Sequence, residues 1–354
     1  MLRSLIFLGS SLLLLSNCTR QKSDIRVVCE AAPQGGYVIK WETFPPMNGI
    51  VKIYESSSPD SFNLSSPIAE AEISKGFKEI FLVQTTKRSY FNLVFDKKYS
   101  VKTAERAIPM VDLFNFRDLG GYFNTDGKQI RWGKLYRSSS LARAKTQEDI
   151  RVLKNIGIQT VIDFRTERER YDAPSKYLAP NIINLPLRGN PYNTFFDRIL
   201  SNEMKVGDVR VYAQGMFAFL LENNSEYFNK MFDVLLEEDN YPVLIECSLG
   251  SERSAVASAL ILAALNIDMD QIISDYMLSN ELLDFDSLIN SSDIFSKEEG
   301  IQETLTALIR VHKGTITYSF DKILKDYGTL DNFFNTSIRL SAENRERLKE
   351  MMLY

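Results

Sequence analysis

Cys247 and Arg253 stand six positions apart in the stretch Tyr241-Pro-Val-Leu-Ile-Glu-Cys-Ser-Leu-Gly-Ser-Glu-Arg-Ser-Ala255, with Gly250 between them. An apolar run at 243–245 reads as a short buried strand, and a longer one at 255–265 reads as a helix. A tight polar loop therefore carries a thiol at its start and a guanidinium at its end. A loop that runs into a helix N-terminus offers unpaired N–H groups and the positive end of the helix dipole, which makes an anion site. Empty, that site favours the thiolate of Cys247; occupied, it holds an oxyanion through Ser248, Leu249, Gly250, Ser251, Glu252 and Arg253. Arg253 supplies a planar, permanently charged fork that spans two oxygens at once. A buried free cysteine beside a surface arginine is the plainer reading, and the strand, glycine-bearing loop and helix weigh against it.

Positioning such a loop takes a sizeable core, and 354 residues suffice for two or three domains. A hydrophobic share of 44% and a charged share of 25% describe an ordinary globular chain, and a net charge of −4 gives no reason to expect nucleic acid as a partner. Three cysteines and one histidine leave no basis for a His-rich metal site, a cofactor or a structural disulfide. His312 reads as a surface residue on a helix. Tyr212, Met216, Phe217, Phe219 and Leu220 recur at helical spacing and read as core packing.

Residues 1–18 form a targeting segment: Arg3, an apolar run from Leu5 to Leu15, then Leu15-Ser-Asn-Cys18. It is short for a bilayer span. The segment resembles a bacterial lipobox, which implies acylation of Cys18 and a lipoprotein anchored to a membrane of the cell envelope, periplasmic or at the cell surface. After a linker at 19–24, the stretches 25–29, 37–41, 51–54, 68–73, 77–83, 90–95 and 99–103 read as strands parted by Gly, Pro, Ser and Asn. Their spacing suggests a small all-β sandwich over 25–104, with Tyr37, Ile39 and Trp41 on its core-facing side. It resembles an immunoglobulin-like or fibronectin type III module and carries no catalytic constellation. A spacer, a docking module and a stabilising neighbour are equally compatible with it.

From 105 onward the texture changes. Asn115-Phe-Arg-Asp-Leu-Gly-Gly-Tyr122 precedes Trp132-Gly-Lys-Leu-Tyr-Arg-Ser-Ser-Ser-Leu141, and Thr146 with Asp149 three residues on reads as a helix start much like a capping box. A glycine-ended helix then feeds a buried strand that stops at Asp163, within Asp-Phe-Arg. Together with Cys-x5-Arg these stretches resemble the bacterial dual-specificity tyrosine and phosphoinositide phosphatases of the virulence-factor type, over about 105–354. The resemblance implies an α/β fold, a cysteine-phosphatase parallel sheet flanked by helices, with the phosphate loop at the carboxyl end of a central strand. It implies a helical lid between 187 and 240, and hydrolysis of phosphomonoesters through a phosphocysteine intermediate. The substrate would be a phosphorylated protein or small molecule: phosphotyrosine-type, an inositol phosphate or a phosphoinositide. Ser254 would assist departure of the sulfur, and Asp163 or Glu252 would protonate the leaving alcohol. Asn115, Arg117 and Asp118 would support the loop, Asp118 by orienting it through Arg253.

Two departures bear on activity. The family's loop begins His-Cys and carries Lys-Asp-Arg; here Glu246 precedes Cys247, and Ser251-Glu252 precede Arg253. At roughly 5 Å and an effective dielectric near 20, a carboxylate would oppose the thiolate by about 3 kcal/mol. Neighbouring strand residues point to opposite faces, and a protonated Glu246 would exert no such effect. These departures favour a second reading, a pseudophosphatase that binds a phosphorylated ligand without turnover. Rhodanese-like sulfur transfer, a third, lacks the Asn-Phe-Arg-Asp-Leu-Gly-Gly stretch.

Overall fold

The computed structural model describes residues 24–82, 87–188, 197–285, 288 and 298–354. The targeting segment with Cys18, and all of the linker but Asp24, lie outside them. Short strands whose apolar residues turn toward a shared core build the first part of the chain. Strands β1 (Asp24–Ala31), β2 (Tyr37–Phe44), β3 (Ile50–Ser56), β4 (Ala69–Glu72), β5 (Phe77–Ile80), β6 (Tyr90–Phe95) and β7 (Tyr99–Thr103) make two antiparallel sheets, ordered β1-β2-β5 and β4-β3-β6-β7. Ile39 and Trp41 from one sheet meet Val51, Ile53, Phe91 and Phe95 from the other. Trp41 packs edge-on against Phe95 at 6.2 Å, and its indole N–H donates to the Ile73 carbonyl at 2.7 Å, so a large apolar ring is buried with its polar atom satisfied.

The second part is α/β. Strands β8 (Arg117–Asp118), β9 (Leu135–Ser138), β10 (Thr160–Asp163), β11 (Asn181–Asn184) and β12 (Val243–Glu246) form one sheet in the order β11-β10-β12-β9-β8. The sheet is mixed rather than wholly parallel, because β8 pairs antiparallel with β9. The connection between them turns back at Asn124 and Gly127 instead of crossing over by a helix. The other four strands are parallel; β9, β10 and β12 are buried along their length, while β11 lies at the sheet edge with every second residue exposed. Ile162, Val243 and Ile245 face one core; Val161, Leu244 and Tyr136 face the other.

Helices cover both faces. Helix α1 (Gln147–Ile156) is capped by Thr146, whose hydroxyl accepts from the Asp149 amide at 3.1 Å, and ends at Gly157 with φ +75°. Asp149 completes no capping box: its carboxylate accepts instead from the amides of Val111 at 2.7 Å and Asp112 at 3.0 Å, tying the helix to the preceding segment. Then follow α2 (Glu167–Asp172), α3 (Val206–Asn223), α4 (Ser225–Leu235), α5 (Arg253–Ala264), α6 (Met269–Met277), α7 (Ser279–Leu282), α8 (Glu299–Ile309) and α9 (Lys313–Tyr327). In α5 every residue from Ser254 to Ala264 is buried, which fits its apolar circumference and places it at the centre of the domain. No helix among the described residues is long and apolar enough to cross a membrane.

The two parts meet around Trp132, which packs with Tyr90 and Ala104 and against Phe62 and Tyr354. Its indole N–H donates to the Lys102 carbonyl at 3.1 Å. Gly121, at φ +88°, lets the chain pass so close that a Cβ there would stand 2.2 Å from the Trp132 ring. Trp41→Ala should cost the sandwich about 3–5 kcal/mol through cavity formation and the orphaned Ile73 carbonyl. Denaturant unfolding followed by tryptophan and far-UV signals checks it; a change below about 1 kcal/mol would mean that Trp41 does not carry the sandwich core.

Candidate active site

The loop between β12 and α5 is shaped from outside. The Ser248 carbonyl accepts from the Ser140 amide at 3.3 Å, the Leu249 carbonyl from Asn115 Nδ2 at 3.3 Å, and the Gly250 carbonyl from Arg137 Nη2 at 2.6 Å. With three successive carbonyls held this way, the amides between them turn inward, the arrangement an oxyanion needs. Gly250 has φ +74°, and a Cβ there would lie 2.5 Å from the Ser138 carbonyl oxygen, so only glycine fits. Cys247 leaves the carboxyl end of β12 almost fully buried, its Sγ 3.3 Å from Ser254 Oγ in the first turn of α5. Thiol, hydroxyl and helix N-terminus thus converge on one spot.

Beneath the loop lies an ion cluster that sequence reasoning missed. Asp275 of α6 accepts from Arg117 Nε at 2.9 Å and from Arg137 Nη1 at 2.6 Å, all three side chains being buried. Burial opposes the charge on Asp275, but the two guanidinium groups outweigh it and hold the carboxyl well below its usual range. Arg117 Nη1 also donates to the side-chain oxygen of Asn115, and its Nη2 to Ser279 Oγ at 3.3 Å. Asn115 thus touches the loop directly, and Arg117 connects to it through Asp275 and Arg137. Asp118 does not reach Arg253: it accepts from the amides of Gly120 at 2.7 Å and Gly133 at 2.8 Å, and pairs with Arg88 at 2.5 Å.

Arg253 is instead held by Glu169, a residue absent from the sequence-derived set. Nη1 donates to Glu169 Oε2 and Nη2 to Oε1, each at 2.7 Å, while Nη2 reaches Ser248 Oγ at 3.0 Å and Nη1 the Phe164 carbonyl at 3.1 Å. Burial disfavours the Glu169 carboxylate, yet Arg253 and the Ser248 hydroxyl hold it ionised well below the ordinary range. Glu169 also closes a capping box with Thr166 at the start of α2. That Thr-x-x-Glu signature, just after Asp163-Phe-Arg165, is the one trace of it in the sequence.

The candidate acids separate cleanly. Asp163 is buried with both oxygens on Arg165, at 2.8 Å from Nη2, and does not line the cavity above the loop. Glu252 does line it, and burial raises its carboxyl, against the pull of Arg253, toward the protonated form an acid needs. Glu246 turns away from the thiol. Its carboxyl accepts from the Leu141 amide, lies 3.6 Å from Arg165 Nη2, and is pushed up to about 8 by burial and by the charge of Asp163. Burial and the neighbouring Asp163 thus favour its protonated form, and the repulsion of Cys247 expected from the sequence is lessened.

The cavity measures about 520 Å³ and opens between the loop and helices α3, α8 and α9. Tyr212, Met216 and Phe217, read from the sequence as core packing, wall it, with Leu187, Leu308 and Tyr276. Arg168 and Arg310 also line it. His312 precedes the first residue of α9 rather than lying on the helix, and is half-buried. Cys29 and Cys247 are buried free thiols in different cores.

Comparison with known proteins decides the family. The family model described as "Tyrosine phosphatase family" matches residues 108–354. The chain belongs to that family. As a member it is a phosphatase of the tyrosine type, a phosphoric monoester hydrolase. A Cupriavidus necator protein named for tyrosine-protein phosphatase activity is 25% identical over 241 residues, 64% of this chain and 82% of its own. The triple specificity protein phosphatase PtpB of Mycobacterium tuberculosis is 28% identical over 193 residues, 48% of this chain and 67% of its own. Among solved structures, the core catalytic domain of the PP-IP phosphatase SIW14 from S. cerevisiae, in complex with citrate, aligns with 62% of this chain and 94% of its own at 15% identity and a TM-score of 0.30.

Two outcomes follow for this phosphatase. Gly250→Ala should lower phosphatase kcat/KM by about 100-fold or more, because the methyl group displaces the loop from Ser138, and should also lower the melting temperature, because alanine is strained at this left-handed position and meets the Ser138 backbone. Unchanged turnover would show that the loop tolerates the shift. A carboxyl whose folded pKa is raised stabilises the fold fully below the ordinary carboxylate range and loses that contribution as pH climbs to about 8. Glu246→Gln should therefore flatten the decline of stability between pH 5 and pH 8, read from denaturation midpoints across that range. An identical pH profile in the variant would mean that Glu246 is ionised throughout.

Proposed function

We propose that the chain hydrolyses phosphomonoesters through a phosphocysteine intermediate formed on Cys247. The observation that carries this reading is the convergence of the buried Cys247 thiol, the N-terminus of α5, three outward-held loop carbonyls and the Arg253 guanidinium on the floor of one cavity. The Cys247 thiolate attacks phosphorus in line as the ester oxygen departs, and Glu252 delivers its proton to that oxygen. Arg253 and the loop amides hold the phosphoryl oxygens through the transition state. Glu252, now ionised, takes a proton from the incoming water, phosphate leaves, and Ser254 Oγ hydrogen-bonds the returning thiolate. Glu169 keeps the Arg253 fork in place.

The substrate range we propose is phosphotyrosine-type esters, extending to inositol phosphates or phosphoinositides, as the likeness to a triple specificity phosphatase suggests. The apolar wall of Tyr212, Met216 and Phe217 suits an aryl body above the loop. We also propose that Cys18 is acylated and anchors the protein to a membrane of the cell envelope, on the strength of residues 1–18, and that residues 25–104 form an immunoglobulin or fibronectin type III-like module. The sheet orders β1-β2-β5 and β4-β3-β6-β7 support the latter.

One observation favours the second reading, a binding protein without turnover. The Glu169 carboxylate already takes both terminal nitrogens of Arg253, as a phosphate would. Hydrolysis of a chromogenic aryl phosphate by the protein lacking residues 1–18, from pH 4.5 to 8, separates the two. Cys247→Ser should abolish turnover yet retain phosphate binding, and Arg253→Ala should lose both. Glu252→Gln should slow release of a poor leaving alcohol by about 100-fold or more and that of nitrophenol far less. Full activity of Cys247→Ser would sink the mechanism, and vanadate binding with no turnover at any pH would establish the binding protein.

A further inference from the structure

Arg88 lies on the β-sandwich side, twenty positions before the matched family span begins at residue 108. Its guanidinium nevertheless enters the α/β part. Nη1 donates to Asp118 Oδ2 at 2.5 Å and to the Tyr136 hydroxyl at 3.2 Å, and Nη2 to the Glu105 carbonyl at 2.6 Å. The charged group sits over the rings of Tyr90, at 4.9 Å, and Trp132, at 5.8 Å. Asp118 is wholly buried, and Arg88 is the cation paired with it among the described residues. Arg106, also ahead of the family span, donates to the carbonyls of Asp118 at 2.9 Å and Gly120 at 2.7 Å.

Both groups that Arg88 holds are one residue from the machinery of the loop. Asp118 adjoins Arg117, which grips Asp275; Tyr136 adjoins Arg137, which joins Asp275 to the Gly250 carbonyl. Strand β9 is anchored along its length by β12, whereas β8 lies at the sheet edge with two residues in register, continued by the Leu119 amide to the Leu135 carbonyl at 2.8 Å. Arg88 adds a side-chain clamp that ties Asp118 of this edge strand to Tyr136 of β9. Contacts run without a gap from the sandwich through Arg88, Asp118 and Tyr136 to Arg117, Arg137 and the loop.

We propose that Arg88 is a positioning residue for catalysis: the β-sandwich donates it to clamp β8 and β9, and through them it sets the phosphate loop. The inference rests on the phosphatase reading above. It gives the sandwich a part in the reaction that a tether or spacer would not have.

The test uses the protein lacking residues 1–18, with aryl phosphate turnover, vanadate affinity and melting temperature measured on each variant. Arg88→Met alone strands a buried carboxylate and is expected to unfold at lower temperature. The double variant Arg88→Met with Asp118→Asn removes the uncompensated charge, so it should melt above the single variant and stay folded at assay temperature, though below the parent because the Glu105 carbonyl and one backbone amide lose their partners. At temperatures well below melting its kcat should still be down about tenfold or more and its vanadate affinity weakened to a similar degree, since the loop has lost its brace. Arg88→Lys, which keeps the charge but cannot bridge Asp118, Tyr136 and Glu105 together, should fall between the two. A folded double variant with kcat and vanadate affinity within twofold of the parent would reduce Arg88 to a purely structural tie and overturn the proposal. If the parent shows no turnover, the catalytic reading fails by itself, and vanadate affinity alone still decides whether Arg88 sets the loop.

Discussion

One buried carboxylate organises the site. Asp275 lies between Arg117 and Arg137, and through Arg137 it reaches the Gly250 carbonyl in the loop. Neither arginine would tolerate burial without that partner, because desolvating an unpaired guanidinium costs several kcal/mol. The bidentate and shared hydrogen bonds offset that cost and fix both side chains in single positions. Take away Asp275 and the loop loses the donor that turns its backbone; take away Arg117 and Asn115 loses its orientation.

Charge is distributed unevenly around Cys247, and the unevenness suits an anion. Below the loop two arginines share one carboxylate, Asp275, an excess of one positive charge. Beside the strand ends, two carboxyls, Asp163 and Glu246, share one arginine, Arg165, and burial resolves the excess by retaining a proton on Glu246. The first cluster cannot neutralise itself in this way, since arginine does not release its proton. A residual positive field therefore remains under the thiol, where a thiolate or a phosphoryl group would sit.

The sandwich and the α/β part share one interface rather than being strung on a linker. Trp132 fills the contact between them, and Gly121 allows the backbone to pass within van der Waals range of that ring. Arg88 crosses the same interface to reach Asp118. Relative movement of the two parts would break hydrogen bonds to a wholly buried carboxylate, which resists hinge motion more firmly than apolar contact alone.

By itself the sequence determined the local elements and the reacting groups. Short runs parted by Gly, Pro, Ser and Asn placed the sandwich strands, unbroken apolar runs placed β10, β12 and α5, and Cys247, Gly250 and Arg253 marked the loop, because these signals depend on neighbours within a few positions. Long-range pairing carried no such signal. Nothing near Asp275 announces that it joins Arg117 and Arg137, 158 and 138 positions away. Asp163 and Glu252 were equal candidates for the acid until Arg165 took both oxygens of the first and the cavity reached the second. Glu246 looked hostile to a thiolate until burial beside Asp163 shifted it toward the protonated form. Only the tertiary structure decided these points, since which charges are paired and which protons are kept depends on distance through space and on exclusion of water, and chain order specifies neither.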